Sequence, residues 1–208
     1  PKDQKGILFP HIIVDYPLAD AIDNGIVKRV IVGEVTNAKE DKGTKKIVKR
    51  YRSWIEAGIK RWREYRDIYL KDNKKPVLFI MTDSTSSANE VAEYLEKIPD
   101  LTDKVLVIHT DRFDNVSKRE EDKIRKAARE IDTNNYHCIV SVMMLKEGWD
   151  VKNVTVVVGL RAYSSKANIL PEQTIGRGLR RIDGPGNRDE TLDIIGNLNF
   201  ISIVNKLE

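Results

Sequence analysis

The sequence predicts an α/β fold in which a parallel sheet carries helices on both faces. Two observations lead there. From residue 76 onward, short apolar runs alternate with stretches of 10 to 15 residues whose apolar positions recur at helical spacing. The runs are also apolar throughout instead of alternating with polar residues, which is the pattern of strands covered on both sides.

The first 75 residues fit this pattern less regularly. Ile12 to Val14 and Val27 to Val35 read as strands, Lys39 to Lys46 as a polar turn around Gly43, and Val48 to about Leu70 as a long helix. Val77 to Met81 follows Pro76 as a buried strand. Ser87 and Glu90 have the capping-box spacing, and Ala88, Val91, Ala92 and Leu95 then lie on one helix face that stops before Pro99. Val105 to Ile108 is the next strand. Ser117 and Glu120 repeat the capping signal ahead of Ile124, Ala127, Ala128 and Ile131, and Cys138 to Val142 and Val154 to Leu160 are further strands. A helix is expected over Gln173 to Arg181, with short strands at Leu192 to Ile195 and Phe200 to Val204. These elements divide into an N-terminal arm with a long basic helix, residues 1–73, and a main lobe, residues 74–208.

Composition limits the function classes. The 208 residues are 40% hydrophobic and 33% charged, an ordinary globular balance. The longest strongly apolar stretch is Val154 to Leu160, far short of the ~20 residues of a membrane helix, and nothing near the start resembles a signal peptide. One cysteine and three histidines exclude an internal disulfide and make a zinc site require mixed ligands. A cytoplasmic protein without a membrane partner is expected. An opening without methionine suggests a piece of a longer chain.

Charge is unevenly placed. The net is +4, but residues 45–75 carry +8 and the remainder −4. Lys45, Lys49, Arg50, Arg61, Arg63 and Arg66 are interleaved with Tyr51, Trp54, Trp62, Tyr65 and Tyr69. Such a segment could neutralise phosphates along a nucleic acid. Alternatively it is a solvated basic helix face, because Ile55, Ile59, Trp62 and Tyr69 recur near helical spacing and would point inward.

Two segments carry chemistry, each expected at the C-terminal edge of the sheet, where open parallel sheets bind ligands. Ser141 to Asp150 is a strand that breaks at Gly148 and presents Asp150. Gln173 to Arg181 contains Gln173, Arg177 and Arg180 at i, i+4 and i+7, one helix face, with Gly176 and Gly178 allowing close approach. Guanidinium suits phosphate there, since its donor fork matches the oxygens and it stays charged in a dry interface.

Gln173-x-x-Gly176-Arg177-x-x-Arg180 resembles motif VI of superfamily 2 helicases, and Leu145-Lys146-Glu147-Gly148-Trp149-Asp150 resembles motif V. The Lys-Glu-Gly-Trp-Asp wording, Leu160-Arg161, and the stretch Leu18 to Val32 are most similar to the Res subunit of type III restriction enzymes. The resemblance covers nearly the whole chain and implies the second RecA-like lobe of an ATP-dependent DNA translocase. It implies that Arg177 and Arg180 act as arginine fingers on ATP, with Gln173, Gly148 and Asp150 lining the nucleotide cleft. It further implies that Thr82, Asp83, Thr110 and Ser141 meet the nucleic-acid backbone, where hydroxyls bond phosphate without reading bases. The partners it implies are double-stranded DNA, an upstream RecA-like lobe and a modification (methyltransferase) subunit that supplies sequence specificity. An endonuclease is expected beyond residue 208.

The departures are as informative. There is no Gly-x-x-x-x-Gly-Lys-Ser/Thr loop, and Gly43-Thr44-Lys45-Lys46 is not one. No Asp-Glu box for magnesium appears. ATP and Mg2+ would therefore be held mainly by the upstream lobe, and this chain alone should not hydrolyse ATP.

Two rivals were weighed. Pro99-Asp100 with Glu121-Asp122-Lys123 imitates a metal-dependent nuclease, but that site needs Glu and Lys on one face of a strand, and here they fall in an expected helix. A stand-alone doubly wound domain binding a nucleotide or a protein is the alternative, unsupported by any Gly-x-Gly-x-x-Gly turn. The motor assignment requires Arg177 and Arg180 to be exposed at the C-terminal edge of the sheet, where the rival could bury or scatter them. Trp149 is expected to pack behind its turn, and Arg181, His137 and Cys138 are read as structural.

Overall fold

A computed structural model describes residues 17–108, 118–142, 151–160, 175–184 and 189–204. The run Ile12 to Val14 lies outside them. Six strands form one sheet: β1 (Arg29–Gly33), β2 (Val77–Thr82), β3 (Val105–Ile108), β4 (Cys138–Val142), β5 (Val154–Gly159) and β6 (Thr191–Gly196). Their order is β1-β6-β5-β2-β4-β3, and every pairing is parallel. The helices are α1 (Leu18–Asp23), α2 (Ile47–Arg50), α3 (Arg52–Tyr69), α4 (Thr85–Glu96), α5 (Lys118–Arg129) and α6 (Leu198–Val204).

Every residue of β2, β4 and β5 is buried, which is why these strands read as unbroken apolar runs. One core lies under α2, α3 and α4 and takes Leu78, Ile80, Val140 and Val158 from the sheet. The other takes Phe79, Ile139, Val157 and Ile194 and is covered by Ala128, Leu179 and Phe200. Connections that step toward the β3 edge (through α3 and α4) use the first face. Those that step toward the β1 edge (through α5 and residues 175–179) use the second, as a single handedness of crossover requires.

The long basic helix belongs to this core. Trp54, Ile55, Ile59, Trp62, Tyr65 and Tyr69 of α3 are all buried, each large apolar side chain contributing about 1.5–3 kcal/mol. Trp62 donates its indole N–H to the Pro76 carbonyl at 3.0 Å and meets His137 edge-on. Burial beneath this ring lowers the His137 pKa to about 4, aided by the charges of Lys75, Lys104 and Arg66. The arm predicted for residues 1–73 thus contributes an edge strand, β1, and two of the three helices of one layer, α2 and α3, to the sheet it adjoins. The helix expected from Val48 to Leu70 is broken at Tyr51 (φ −115°, ψ 24°), whose ring is buried against Trp54 while its hydroxyl donates to Glu40.

Three local expectations change. The cap of α4 is Ser84, whose hydroxyl accepts from the Ser87 N–H at 3.2 Å. Glu90, assigned to that cap by spacing, instead accepts from the Ile47 and Val48 amides and caps α2 across the layer. The helix expected after Ser117 is present as α5 from Lys118 and is not among these changes; Ser117 itself lies outside the described residues.

The third change is at the end of the chain, where Phe200 to Val204 is helix and not strand. Its β-branched residues suggest a strand, but the Asn197 side chain accepts from the Phe200 N–H at 3.0 Å and starts a turn. That turn buries Phe200, Ile201 and Val204 together. The Phe200 ring sits on Gly159 and Gly196, which pair in register on β5 and β6. A methyl group on Gly159 would lie 2.6 Å from the ring. Gly159→Ala should therefore destabilise the fold by about 1–3 kcal/mol through overpacking. In a denaturant double-mutant cycle that cost should shrink in a Phe200→Ala background, and additivity would show that the ring is not what the methyl strikes.

Candidate functional site

Residues 175–178 form a helical turn, closed by the Leu179 N–H on the Ile175 carbonyl at 2.9 Å. Ile175 and Leu179 face the core, and Gly178 backs onto Leu192, where a Cβ would lie 2.9 Å from a methyl. Among the described residues, nothing lies within 4 Å of where a Cβ on Gly176 would be. Gly178 is therefore needed for packing, and Gly176 leaves an open approach beside Arg177.

The helix expected to run through Arg181 stops at residue 178. Arg180 lies beyond it in an extended pairing with Val27, so the i, i+7 helical relation to Gln173 does not extend to it. The Lys28 N–H donates to the Leu179 carbonyl at 2.8 Å, and the Arg29 N–H to that of Glu190 at 2.9 Å. These contacts place Arg180 at the N-terminal edge of β1 and β6, not at the C-terminal edge expected for it. The reason is topological: a segment that follows a parallel strand must run back across the sheet before the next strand starts. Arg177 is half-buried and Arg180 exposed, whereas Arg181 is 5% exposed. Gln173, Gly148, Asp150 and Thr110 lie outside the described residues.

Thr82 and Ser141 come together at the opposite, C-terminal edge, where Ser141 stands beside Met81 in register. Both are fully buried, and the Thr82 hydroxyl donates to the Ser141 carbonyl at 3.2 Å. As placed, Thr82 braces two strand ends and does not face an external phosphate. Asp83 is exposed beside them, and its charge is felt by Arg50 and Tyr51. This corner lies next to β5, where the connections after β2 and β5 leave in opposite directions, the switch point at which such sheets form a crevice.

The aromatics of the basic segment face the core and offer no stacking platform. Several of its arginines are also matched by acids: Arg50 by Glu40, Arg52 by Glu56, Arg61 by Glu64 and Asp193, and Arg63 and Arg66 by Asp100. Asp100 is thereby committed, and Glu121 to Lys123 lie on α5, so the nuclease geometry is not formed. At Gly43 the amide donates to the Asp41 carboxylate at 3.1 Å, an acidic turn unsuited to phosphate.

Sequence reasoning missed a buried charged cluster beneath the arginine segment. Lys28 has no exposed surface and its ammonium donates to the Lys152 and Val154 carbonyls, both at 2.6 Å. Glu190 is 1% exposed and stands 3.4 Å from the Arg181 guanidinium. A lysine preceding a strand and a glutamate preceding its neighbour were the only signals, and both look like ordinary strand-end charges.

No family model matches the chain, and no curated protein does. Solved structures do. The chain is similar to S. cerevisiae Dbp5, in a single-residue variant bound to RNA and ADP BeF3, with 15% identity and a TM-score of 0.53 over 88% of this chain and 39% of that one. Similarity extends to the C-terminal domain of the DEAD-box protein Dbp5 (14%, TM-score 0.47, 88% and 84% covered). It extends also to the Sulfolobus solfataricus SWI2/SNF2 ATPase core in complex with dsDNA (19%, TM-score 0.41, 75% and 29% covered). The fold is the RecA-like α/β fold of helicase C-terminal domains.

Burial drives the Lys28 pKa from 10.5 to about 7, against the pull of Glu190 and with the push of Arg181. Between about 7 and 10.5 the unfolded chain therefore holds the extra proton, so this group makes stability rise with pH across that window and withholds it below. Urea titrations at pH steps through this range should show a slope of about one proton that Lys28→Met removes. A slope unchanged in the variant would show that the ammonium is not desolvated by folding.

Proposed function

We propose that this chain is the C-terminal motor lobe of an ATP-dependent DNA translocase, the Res subunit of a type III restriction enzyme. The observation that carries the proposal is the exposed Arg180 and half-exposed Arg177 beside the open face at Gly176, on a helicase-type fold. The donor set fits nucleotide phosphates: two guanidiniums that stay charged in a closing interface, next to a residue with no side chain to obstruct approach.

In this proposal an upstream lobe of the same protein would hold ATP, the source of the transferable phosphoryl group, and Mg2+, which would offset charge on its phosphate oxygens. Among the described residues no three acidic, histidine or cysteine side chains gather to bind a metal, so this lobe's own contribution is cationic. Arg177 and Arg180 donate to phosphate oxygens across the cleft and offset the negative charge that spreads there as the bond to the leaving group lengthens. Gln173, Gly148 and Asp150 line the same cleft. Nucleic-acid backbone contacts are assigned to Thr110 and to the edge at Asp83, with Thr82 and Ser141 bracing the strands beneath. A carboxylate repels phosphate, so Asp83 acts through its amide or by orienting a neighbour. A methyltransferase subunit supplies sequence specificity, and the nuclease follows in the same protein.

Arg177→Ala and Arg180→Ala in the intact protein should each lower the ATPase rate stimulated by double-stranded DNA by on the order of 10³-fold, with folding unchanged. Wild-type rates in both would overturn the proposal. Stimulation by RNA but not by DNA would overturn the choice of track alone.

A further inference from the structure

Arg180 and Arg181 are adjacent and chemically identical, yet one faces water and the other is buried. Leu179 closes the helical turn and Arg180 pairs with Val27, and along Leu179, Arg180 and Arg181 burial alternates, in, out, in. A slip of one residue would exchange the two arginines. Apolar contacts fix the upstream end through Ile175, Leu179 and the Gly178–Leu192 seat, whereas downstream only Ile182, partly buried, packs against a core among the described residues.

At the downstream end Asp183 pairs with Lys74 on the surface, and a buried carboxylate gathers the backbone. Glu190 Oε2 accepts from the Ile182 N–H at 2.8 Å, and Oε1 accepts from the Asp183 N–H at 3.2 Å. The same Oε1 lies 3.4 Å from Arg181 Nε, with both side chains almost wholly buried. Glu190 also leads into β6, and its own carbonyl accepts from Arg29 at the start of β1. The carboxylate therefore ties the three residues after Arg180 to the two strand ends against which Arg180 lies.

We propose that Glu190 is a positioning residue that sets the register of this segment, drawing Arg181 inward and so presenting Arg180 outward. The proposal rests on the reading that Arg177 and Arg180 meet nucleotide phosphate. Its chemistry is charge matching. Two amides and a guanidinium all prefer a buried anion, and only one of the two adjacent arginines can reach it while those amides stay bonded.

The test is steady-state ATPase of the intact protein with saturating linear double-stranded DNA, alongside melting temperature. Glu190→Gln keeps the shape and removes the charge. It is expected to lower kcat on the order of 10²-fold, as displacement of a reacting group by about an ångström does, with smaller change in KM for ATP. Glu190→Gln/Arg181→Met is expected to recover most of that loss, because an apolar residue at 181 stays inside without a counter-charge and leaves Arg180 outward. In a purely structural role the melting temperature falls and recovers across this pair while kcat per folded molecule stays at the parent's level throughout.

Should Glu190→Gln alone not fold, the double variant decides. A kcat near the parent's supports the register role, and one as low as that of Arg180→Ala overturns it. Arg177→Ala and Arg180→Ala run in the same series. If they lower kcat while Glu190→Gln does not, the register proposal falls and the arginine assignment stands. If they leave kcat unchanged, the arginine assignment fails and takes the register role with it.

Discussion

In a parallel sheet every strand ends at the edge opposite to where the next must begin, so each connection has to recross a face. That constraint organises the whole molecule. It explains two buried faces, the burial of every position in β2, β4 and β5, and the burial of one face of α3 despite the basic residues around it. It also places function. Residues 175–181 return across the sheet and deliver Arg180 to the starting edge of β1 and β6, while Thr82 and Ser141 close the finishing edge of β2 and β4. Groups that sequence spacing assigned to one crevice lie at opposite edges of one sheet.

Charge inside the fold follows the same geometry. Strand ends leave backbone carbonyls and amides that cannot be paired within the ladder, and buried side chains satisfy them. Lys28 serves two carbonyls ahead of β5 and within it, and Glu190 serves two amides after the arginine segment. On the opposite face Asp193 of β6 accepts from Tyr65 and Arg61 of α3, fastening that helix to the sheet. Such groups add little net stability over apolar substitutes, but a wrong pairing strands a buried charge, so they discriminate between arrangements.

The strands and the two inward helix faces were legible because burial on both sides writes itself directly into composition: Val105–Ile108 and Cys138–Val142 were read to the residue. What was not legible depended on partners distant in sequence. Glu90 has correct spacing for its own helix but bonds to α2, and Phe200 to Val204 has strand-like residues but a cap at Asn197. Among the arginines, spacing identified the segment, yet nothing local distinguishes Arg180 from Arg181. Their sorting is decided by Glu190, and that relation exists only after β1 and β6 have paired.

The pairing of β1 with β6, and of α3 with the face beneath it, bears on how this protein can be dissected. The turn at Asn73, with its left-handed backbone (φ 55°), looks like a natural place to cut. A piece starting there would lack the strand next to β6 and the helix over Val158, and Asp193 would be uncovered and lose Tyr65 and Arg61. The module that evolution or an engineer could move intact therefore starts ahead of β1. The basic helix travels with it as interior structure, however much its charge makes it look like a handle.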